Sequence, residues 1–318
     1  MASKDAQSAV TISRTAKDVL SGTAGGIAQV LVGQPLDMLK VRLQTATHGT
    51  YSGMGDCAMQ IIKKDGPLGF YKGTLTPLLG VGLCVSIQFG VVERVKREFA
   101  SRNARAAGVP EGAESLLGVG PKAFALTSPQ LYTAGVSAGV ANSFVAGPVE
   151  HIRIRLQTQA TKIYSGPLDC ARKIVASSGA SGLFKGMVPT LFREGHGMGM
   201  YFLVYEAVVG YKLKKDNLTR AELPAVWAML GGAISGPALW VMVYPMDVIK
   251  SRLQTDALDK GKRQYQGTID CARQIFKQSG WKGFFRGLAP TLARAPISNA
   301  ATFVTYEFAA RHLEAYVR

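Results

Sequence analysis

Six stretches of the chain share one pattern: apolar residues fill most of a helix's length, and charge enters on a single stripe or at one end. They fall at roughly 17–43, 73–98, 130–157, 187–212, 225–254 and 287–313. None is an uninterrupted run of about 20 apolar residues, the usual length of a bilayer-spanning helix. The stretch VLSGTAGGIAQVLVGQPLDMLKVRLQ comes nearest and then acquires charge in its second half. A helix with one polar stripe suits a bundle around a water-filled cavity, and it suits the surface of a soluble helical protein as well. Hydropathy therefore predicts long helices and leaves their solvent open.

Internal repetition narrows the choice. GQPLDMLKVRLQ ending at Gln44, AGPVEHIRIRLQ ending at Gln157 and VYPMDVIKSRLQ ending at Gln254 share one frame. Each has a proline, an acid two residues later, a base three beyond that, and a glutamine nine after the proline. Downstream lie YSGMGDCAMQIIKKDG, YSGPLDCARKIVASSG and YQGTIDCARQIFKQSG, which lead to FYKG, LFKG and FFRG. Proline and closing glycine are separated by 38 residues in the first two copies and 42 in the third, the extra four falling in the polar stretch DALDKGKRQ. Gly22 and Gly26, Gly135 and Gly139, and Gly232 and Gly236 form in-register GxxxG pairs, each ending nine residues before its proline. Such pairs predict close helix packing in an apolar setting.

Each unit thus predicts a proline-containing helix, a short amphipathic helix around the DCA element, and a second long helix. Repeat 1 covers about 17–100, repeat 2 about 129–215 and repeat 3 about 222–314 of a single domain spanning 1–318. The connector 101–128, SRNARAAGVPEGAESLLGVGPKAFALTS, is the longest and is expected to be a mobile loop.

Composition adds to this. The chain has 318 residues, a formal net charge of +16, 36 glycines and only 18% charged residues. Low charge with abundant glycine leans towards membrane helices, and the basic excess points to nucleic acid or anionic lipid. A nucleic-acid binder would cluster its bases on one element; here they are spread by the repeat with acids tracking them, so no nucleic-acid partner is expected. The N-terminal MASKDAQSAVTISRTAKD lacks the apolar core of a secretory signal and is too acidic for a convincing presequence. Cys57, Cys170 and Cys271 each lie 16 residues before the closing glycine. A repeat-locked odd set argues for reduced thiols packed as small apolar residues, not a disulfide framework or zinc site. No nucleophile–base set recurs, so an enzyme is not expected.

The sequence resembles the mitochondrial carrier family, whose signature is P-x-[DE]-x-x-[KR]-x-[KR] followed after 20–30 residues by [DE]-G-x4-[aromatic]-[KR]-G. Three copies cover residues 17–313; Ser178 and Ser279 depart from it where the first copy has Asp65. The resemblance implies an all-α membrane protein with six transmembrane helices in three tandem two-helix repeats. Short matrix helices and a pseudo-three-fold bundle around a central cavity complete that fold. It also implies a multi-pass monomer of the mitochondrial inner membrane that moves a small solute by alternating access, with no cofactor. By the same resemblance, Asp37, Glu150 and Asp247 pair with Lys40, Arg153 and Lys250 of adjacent repeats as a matrix gate, with Gln44, Gln157 and Gln254 as braces beneath it.

The opposite, cytosolic gate is expected to be weak. Glu93, Glu206 and Glu307 each lie 20 residues after the closing glycine, and only Lys96 keeps the basic partner in register. Lys72–Gly73, Lys185–Gly186 and Arg286–Gly287 precede helix starts whose N–H groups suit a phosphate; the resemblance implies cardiolipin bound there.

Substrates are not three-fold symmetric, so binding residues should be those that differ between repeats. Seven residues beyond the closing glycine stand Gly80, Arg193 and Arg294; eight beyond stand Val81, Glu194 and Ala295. An arginine at that depth must face the aqueous cavity or a partner. Arg193–Glu194 resembles the arginine–acid pair of family members that carry amino acids or carnitine. A zwitterion fits: its carboxylate meets Arg193 or Arg294, its ammonium meets Glu194, and Gly80 leaves room. His196, Cys84 and Trp240 are further cavity candidates, with Gln88, Ser298 and Asn299 behind them. An amino acid is the expected substrate, carnitine or acylcarnitine the alternative, and another carboxylate comes after these.

Overall fold

The computed structural model describes residues 13–47, 49–108, 126–159, 161, 163–218 and 222–314. Six long helices carry the apolar stretches: α1 Arg14–Thr45, α3 Leu75–Ala106, α4 Ser128–Thr158, α6 Met187–Lys215, α7 Ala225–Thr255 and α9 Leu288–Glu314. Three short helices carry the DCA elements: α2 Met54–Asp65, α5 Pro167–Ser178 and α8 Thr268–Ser279. Each repeat is therefore long helix, short helix, long helix. The helix α3 continues to Ala106, into the stretch expected to be connector, and residues 109–125 of that connector lie outside the described residues.

The long helices close a ring in the order α1, α3, α4, α6, α7, α9, with α1 running along α9, α3 along α4, and α6 between α4 and α7. The ring is inside-out compared with a water-soluble bundle. Phe89, Phe144, Met229, Phe303 and Phe308 are exposed on long helices, while Gln34, Asp247, Lys250 and Gln254 are buried. That distribution fits an apolar solvent outside and polar groups within. Among the described helices Ala225–Thr255 alone is uniformly apolar enough to pass as a span by itself. The other long helices carry the charged stripe that the ring turns inward.

Each short helix is built by its own motif. The aspartate of DCA accepts a backbone N–H four residues upstream: Asp56 from Ser52 at 3.0 Å, Asp169 from Ser165 at 2.9 Å and Asp270 from Gln266 at 2.9 Å. That bond holds Asp56 and Asp169 below the usual carboxylate range. The neighbouring cysteine and the isoleucine four residues on are fully buried in each copy. Burial pushes the thiols up, to about 11 at Cys57 and Cys170 and about 12 at Cys271.

The closing glycines join one repeat to the next. Gly73, Gly186 and Gly287 have φ of +78°, +78° and +85°, which disfavours a side chain. A Cβ on Gly73 would come within 3.2 Å of Gln157, and one on Gly186 within 3.1 Å of Gln254. On Gly287 it would stand 3.0 Å from both Lys40 O and Tyr244 Oη and 3.4 Å from Gln44. Each glycine therefore seats the motif glutamine of the following repeat, the third returning to the first.

The GxxxG expectation holds in the second repeat only. A Cβ on Gly139 would meet Glu194 O at 2.1 Å and one on Gly135 would meet Met198 at 2.8 Å, so α4 and α6 touch backbone to backbone. Gly22, Gly26 and Gly236 have nothing within 4 Å. In those repeats the close packing falls one residue away, at Gly25 against Thr302 and Gly231 against Tyr205. The one-residue offset rotates the paired glycines off the helix interface.

Candidate functional site

The motif ends of α1, α4 and α7 converge, and the six charged residues of the three motifs meet as pairs between repeats. Arg153 donates to Asp37 at 2.7 Å, Lys40 reaches Asp247 at 2.8 Å, and Lys250 donates to Glu150. Acid and base three apart on one helix face are splayed to opposite neighbours, so each helix gives an acid one way and a base the other. Gln34, which sequence reasoning missed, accepts from Arg153 at 2.8 Å and donates to Lys72 O at 3.1 Å. Lys40 also lies 4.5 Å from the Trp240 ring centroid, a favourable site for a cation.

The glutamines beneath the ring are not equivalent. Gln44 donates to Asp247 at 2.8 Å and accepts from Ser251 at 2.8 Å. The side chains of Gln157 and Gln254 are buried with neither amide atom bonded; both pack on a closing glycine instead.

Immediately beside this ring lie the residues at which the repeats differ. Arg193 donates to both oxygens of Glu150 at 3.0 and 2.9 Å, pairs with the adjacent Glu194, and has Nε 3.5 Å from Asp247. Arg294 takes the equivalent place in the third repeat, with Nε 3.1 Å from Asp37. The two arginines thus bond to the acids of the ring. Glu194 accepts from Asn142 at 3.2 Å and from Gln88 at 3.5 Å. Asn142 Oδ1 is buried without a donor.

A cavity of about 290 Å³ opens beside Arg193 and Glu194. Gly197, Met198 and Tyr201 line it from α6, and Gly236, Leu239, Trp240 and Val243 from α7. Cys84, half-buried on α3, is within electrostatic reach of Glu150 and Glu194. Two expected substrate residues stand elsewhere. Gly80 packs on Val149 of α4, where a Cβ would meet Cγ1 at 3.0 Å, so its missing side chain makes room for the neighbouring helix. His196 bonds to Tyr132 of α4 and lies against Phe192, with ring centroids 4.1 Å apart and planes tilted by 41°. Three residues of helix rotate it about 60° from Arg193 towards α4. Asn142 and Leu239 each stand six residues before their motif proline, and the polar–apolar difference between them was the sequence signal for that level.

At the opposite end Glu93 lies 3.8 Å from Lys96 and Glu307 2.5 Å from Arg311, each on its own helix. Near the ring, Lys72 donates to Asp65 at 2.6 Å and Lys185 to Ala257 O at 2.7 Å and Asp256 O at 3.1 Å. These two bases, expected to meet lipid phosphate, are occupied by protein acceptors. Burial, offset in part by Asp256, pushes Lys185 down to about 8.

The comparison with known sequences decides the family: the model for mitochondrial carrier proteins matches three times, over residues 13–103, 125–216 and 221–316. The chain belongs to the mitochondrial carrier family. Among curated relatives, this carrier is 47% identical to the mitochondrial glycine transporter of Saccharomyces cerevisiae, over 94% of this chain and 92% of that protein. It is 45% identical to the glutamate/glycine mitochondrial carrier of Schizosaccharomyces pombe, over 95% and 96% of the two chains. To the mitochondrial basic amino acids transporter of Bos taurus it is 39% identical, over 91% and 90%.

Proposed function

We propose that this multi-pass carrier of the mitochondrial inner membrane transports a small neutral amino acid by alternating access. The observation that carries the reading is the adjacent Arg193 and Glu194 beside one 290 Å³ cavity, directly against the charged ring. A zwitterion needs a cation and an anion side by side, and nothing else in the cavity wall is charged. The relatives' names support the amino-acid class and not the carnitine alternative. Glu194 is the single acid lining the cavity. A basic side chain would need a second, so a small neutral amino acid such as glycine fits better than a basic one.

The substrate carboxylate takes Arg193 through paired hydrogen bonds. The ammonium goes to Glu194, and Gln88 and Asn142 hold the Glu194 carboxylate in place. Drawing Arg193 away removes a partner from both Glu150 and Asp247, leaving Lys250 and Lys40 to hold the ring there. Substrate binding and ring closure thereby compete for one guanidinium, which couples binding to opening. The pairing of Glu93 and Glu307 within their own helices supports an opening at that end.

Uptake into proteoliposomes with a panel of neutral, acidic and basic amino acids, carnitine esters, keto acids and nucleotides tests the assignment. Small neutral amino acids should be taken up fastest. Transport confined to nucleotides or to keto acids would remove the zwitterion reading.

A further inference from the structure

Lys40 of α1 lies along one face of α7. Trp240, Tyr244 and Asp247 stand on successive turns of that helix, and Lys40 meets all three. Its Nζ is 2.8 Å from Asp247 Oδ2, 4.5 Å from the Trp240 ring centroid and 5.9 Å from that of Tyr244. Both rings lie within the roughly 6 Å at which an aromatic face attracts a cation, and indole attracts best. Trp240 stands edge-on to Tyr244, 6.4 Å between centroids. Tyr244 is itself fixed by Arg286 O and Thr291 Oγ1, each at 3.3 Å.

The other two bases of the ring are held differently. Arg153 Nη2 is shared between Asp37 at 2.7 Å and Gln34 at 2.8 Å. Lys250 is almost wholly buried and donates to Glu150. A lysine ammonium is a single charge on a flexible stem. Lys40 is more open than Lys250, and the indole steadies it. Five residues before the motif prolines stand Val30, Ser143 and Trp240, so only the third repeat offers a π face at that level. Ser143 Oγ donates to Gly139 O of its own helix at 2.8 Å.

Trp240 also lines the 290 Å³ cavity, together with Arg193 and Glu194 of α6. From that cavity Arg193 reaches the acids of the ring, and Trp240 reaches one of its bases. Both lines end at Asp247, with Arg193 Nε 3.5 Å and Lys40 Nζ 2.8 Å from it. We infer that Trp240 is a positioning residue that holds Lys40 on Asp247 and releases it when the cavity fills. The inference rests on the zwitterion reading of this cavity. A substrate carboxylate takes Arg193 from Asp247. The ammonium meets the indole that Lys40 uses, and two cations on one ring oppose each other. Each end of the zwitterion so loosens one partner of Asp247, whereas a carboxylate without an ammonium loosens only Arg193.

The tie is tested without substrate, by thermal unfolding of the purified full-length carrier as wild type, Trp240→Met, Lys40→Gln and the double variant. Methionine fills much of the space and has no ring. The Tm loss from Trp240→Met should be smaller in the Lys40→Gln background than in wild type, by on the order of 1–4 °C. Equal losses would reduce Trp240 to packing and overturn the tie. If Trp240→Met does not fold, Trp240→Phe, whose π face is weaker, takes its place in the same comparison with a smaller difference. The release is tested in proteoliposomes with Trp227→Phe and Trp281→Phe, which leave Trp240 as the one indole. Glycine should shift its emission saturably over the concentrations that saturate uptake. Lys40→Gln should change the emission before glycine is added and leave a smaller glycine shift. No shift in a carrier that takes up glycine, or a full shift kept by Lys40→Gln, would overturn the release. A parent that takes up no glycine would instead sink the amino-acid reading, and the release with it, while the unfolding comparison still decides the tie.

Discussion

Arg193 Nη2 donates to both carboxylate oxygens of Glu150, at 3.0 and 2.9 Å, and so binds the wall of the cavity to the ring that closes it. Because Glu194 and Asp247 share the same guanidinium, alanine at this position does more than remove a ligand contact. Arg193→Ala leaves three carboxylates with less cation and should destabilise the carrier by about 3–5 kcal/mol, measured as a fall in Tm. Arg193→Lys keeps the charge and loses the planar fork. It should fold, with uptake lowered about tenfold to a hundredfold.

Gly139 gives a second handle on the same level. Its place for a Cβ is 2.1 Å from Glu194 O, in the backbone of α6. Gly139→Ala must push α6 away from α4 and displace Glu194 from Asn142, so both Tm and uptake should fall. The control is Gly26→Ala, with nothing within 4 Å, which should leave stability within about 0.5 kcal/mol of wild type. Equal effects in uptake and unfolding assays would show that helix contact is not the cause.

The seam between the third and first repeats depends on Gly287. At φ +85°, with Lys40 O and Tyr244 Oη both 3.0 Å from a Cβ, Gly287→Ala should cost about 1–3 kcal/mol. Lys40 carries the Asp247 pair, so the loss should fall on the ring-closed state. In solvent-accessibility labelling, residues at the Gln44 level should become reactive in the variant while remaining protected in wild type.

The three short-helix thiols make a pH-dependent prediction. Folded Cys57 and Cys170 ionise near 11 and Cys271 near 12, whereas unfolded thiols ionise near about 8.5. Between these values the folded chain holds more protons than the unfolded one, so stability falls as pH rises through that window and is fully kept below it. At neutral pH a maleimide should modify half-buried Cys84 and spare the other three until the protein unfolds. Prompt labelling of Cys57, Cys170 or Cys271 in the folded carrier would count against their packing.

Much of the fold was legible because the motif is written three times. Acid, base, glutamine and closing glycine recur in register, and each recurrence gives a contact between neighbouring repeats. The level of the candidate site was legible for the opposite reason, because Arg193, Glu194 and Arg294 break the repeat. Orientation within a helix was not. His196 turns to Tyr132 and Gly80 to Val149, since a residue's neighbours depend on helix rotation that spacing alone leaves free by tens of degrees. The unequal glutamines were hidden as well. Gln44 alone finds Asp247 and Ser251, because Ser251 is present only in the third motif, where the others have Val41 and Ile154.

The central claim is that Glu194 receives a substrate's positive end beside an arginine that receives its negative one. Uptake of labelled glycine by reconstituted wild type and Glu194→Gln, each competed with unlabelled glycine and with glycolate, tests it most directly. Glycolate keeps the carboxylate and replaces the ammonium by a hydroxyl. Wild type should prefer glycine by about tenfold or more, and Glu194→Gln should lose that preference while glycolate still competes. A wild type that treats the two alike, or a Glu194→Gln carrier that keeps the full preference for glycine, would contradict the account.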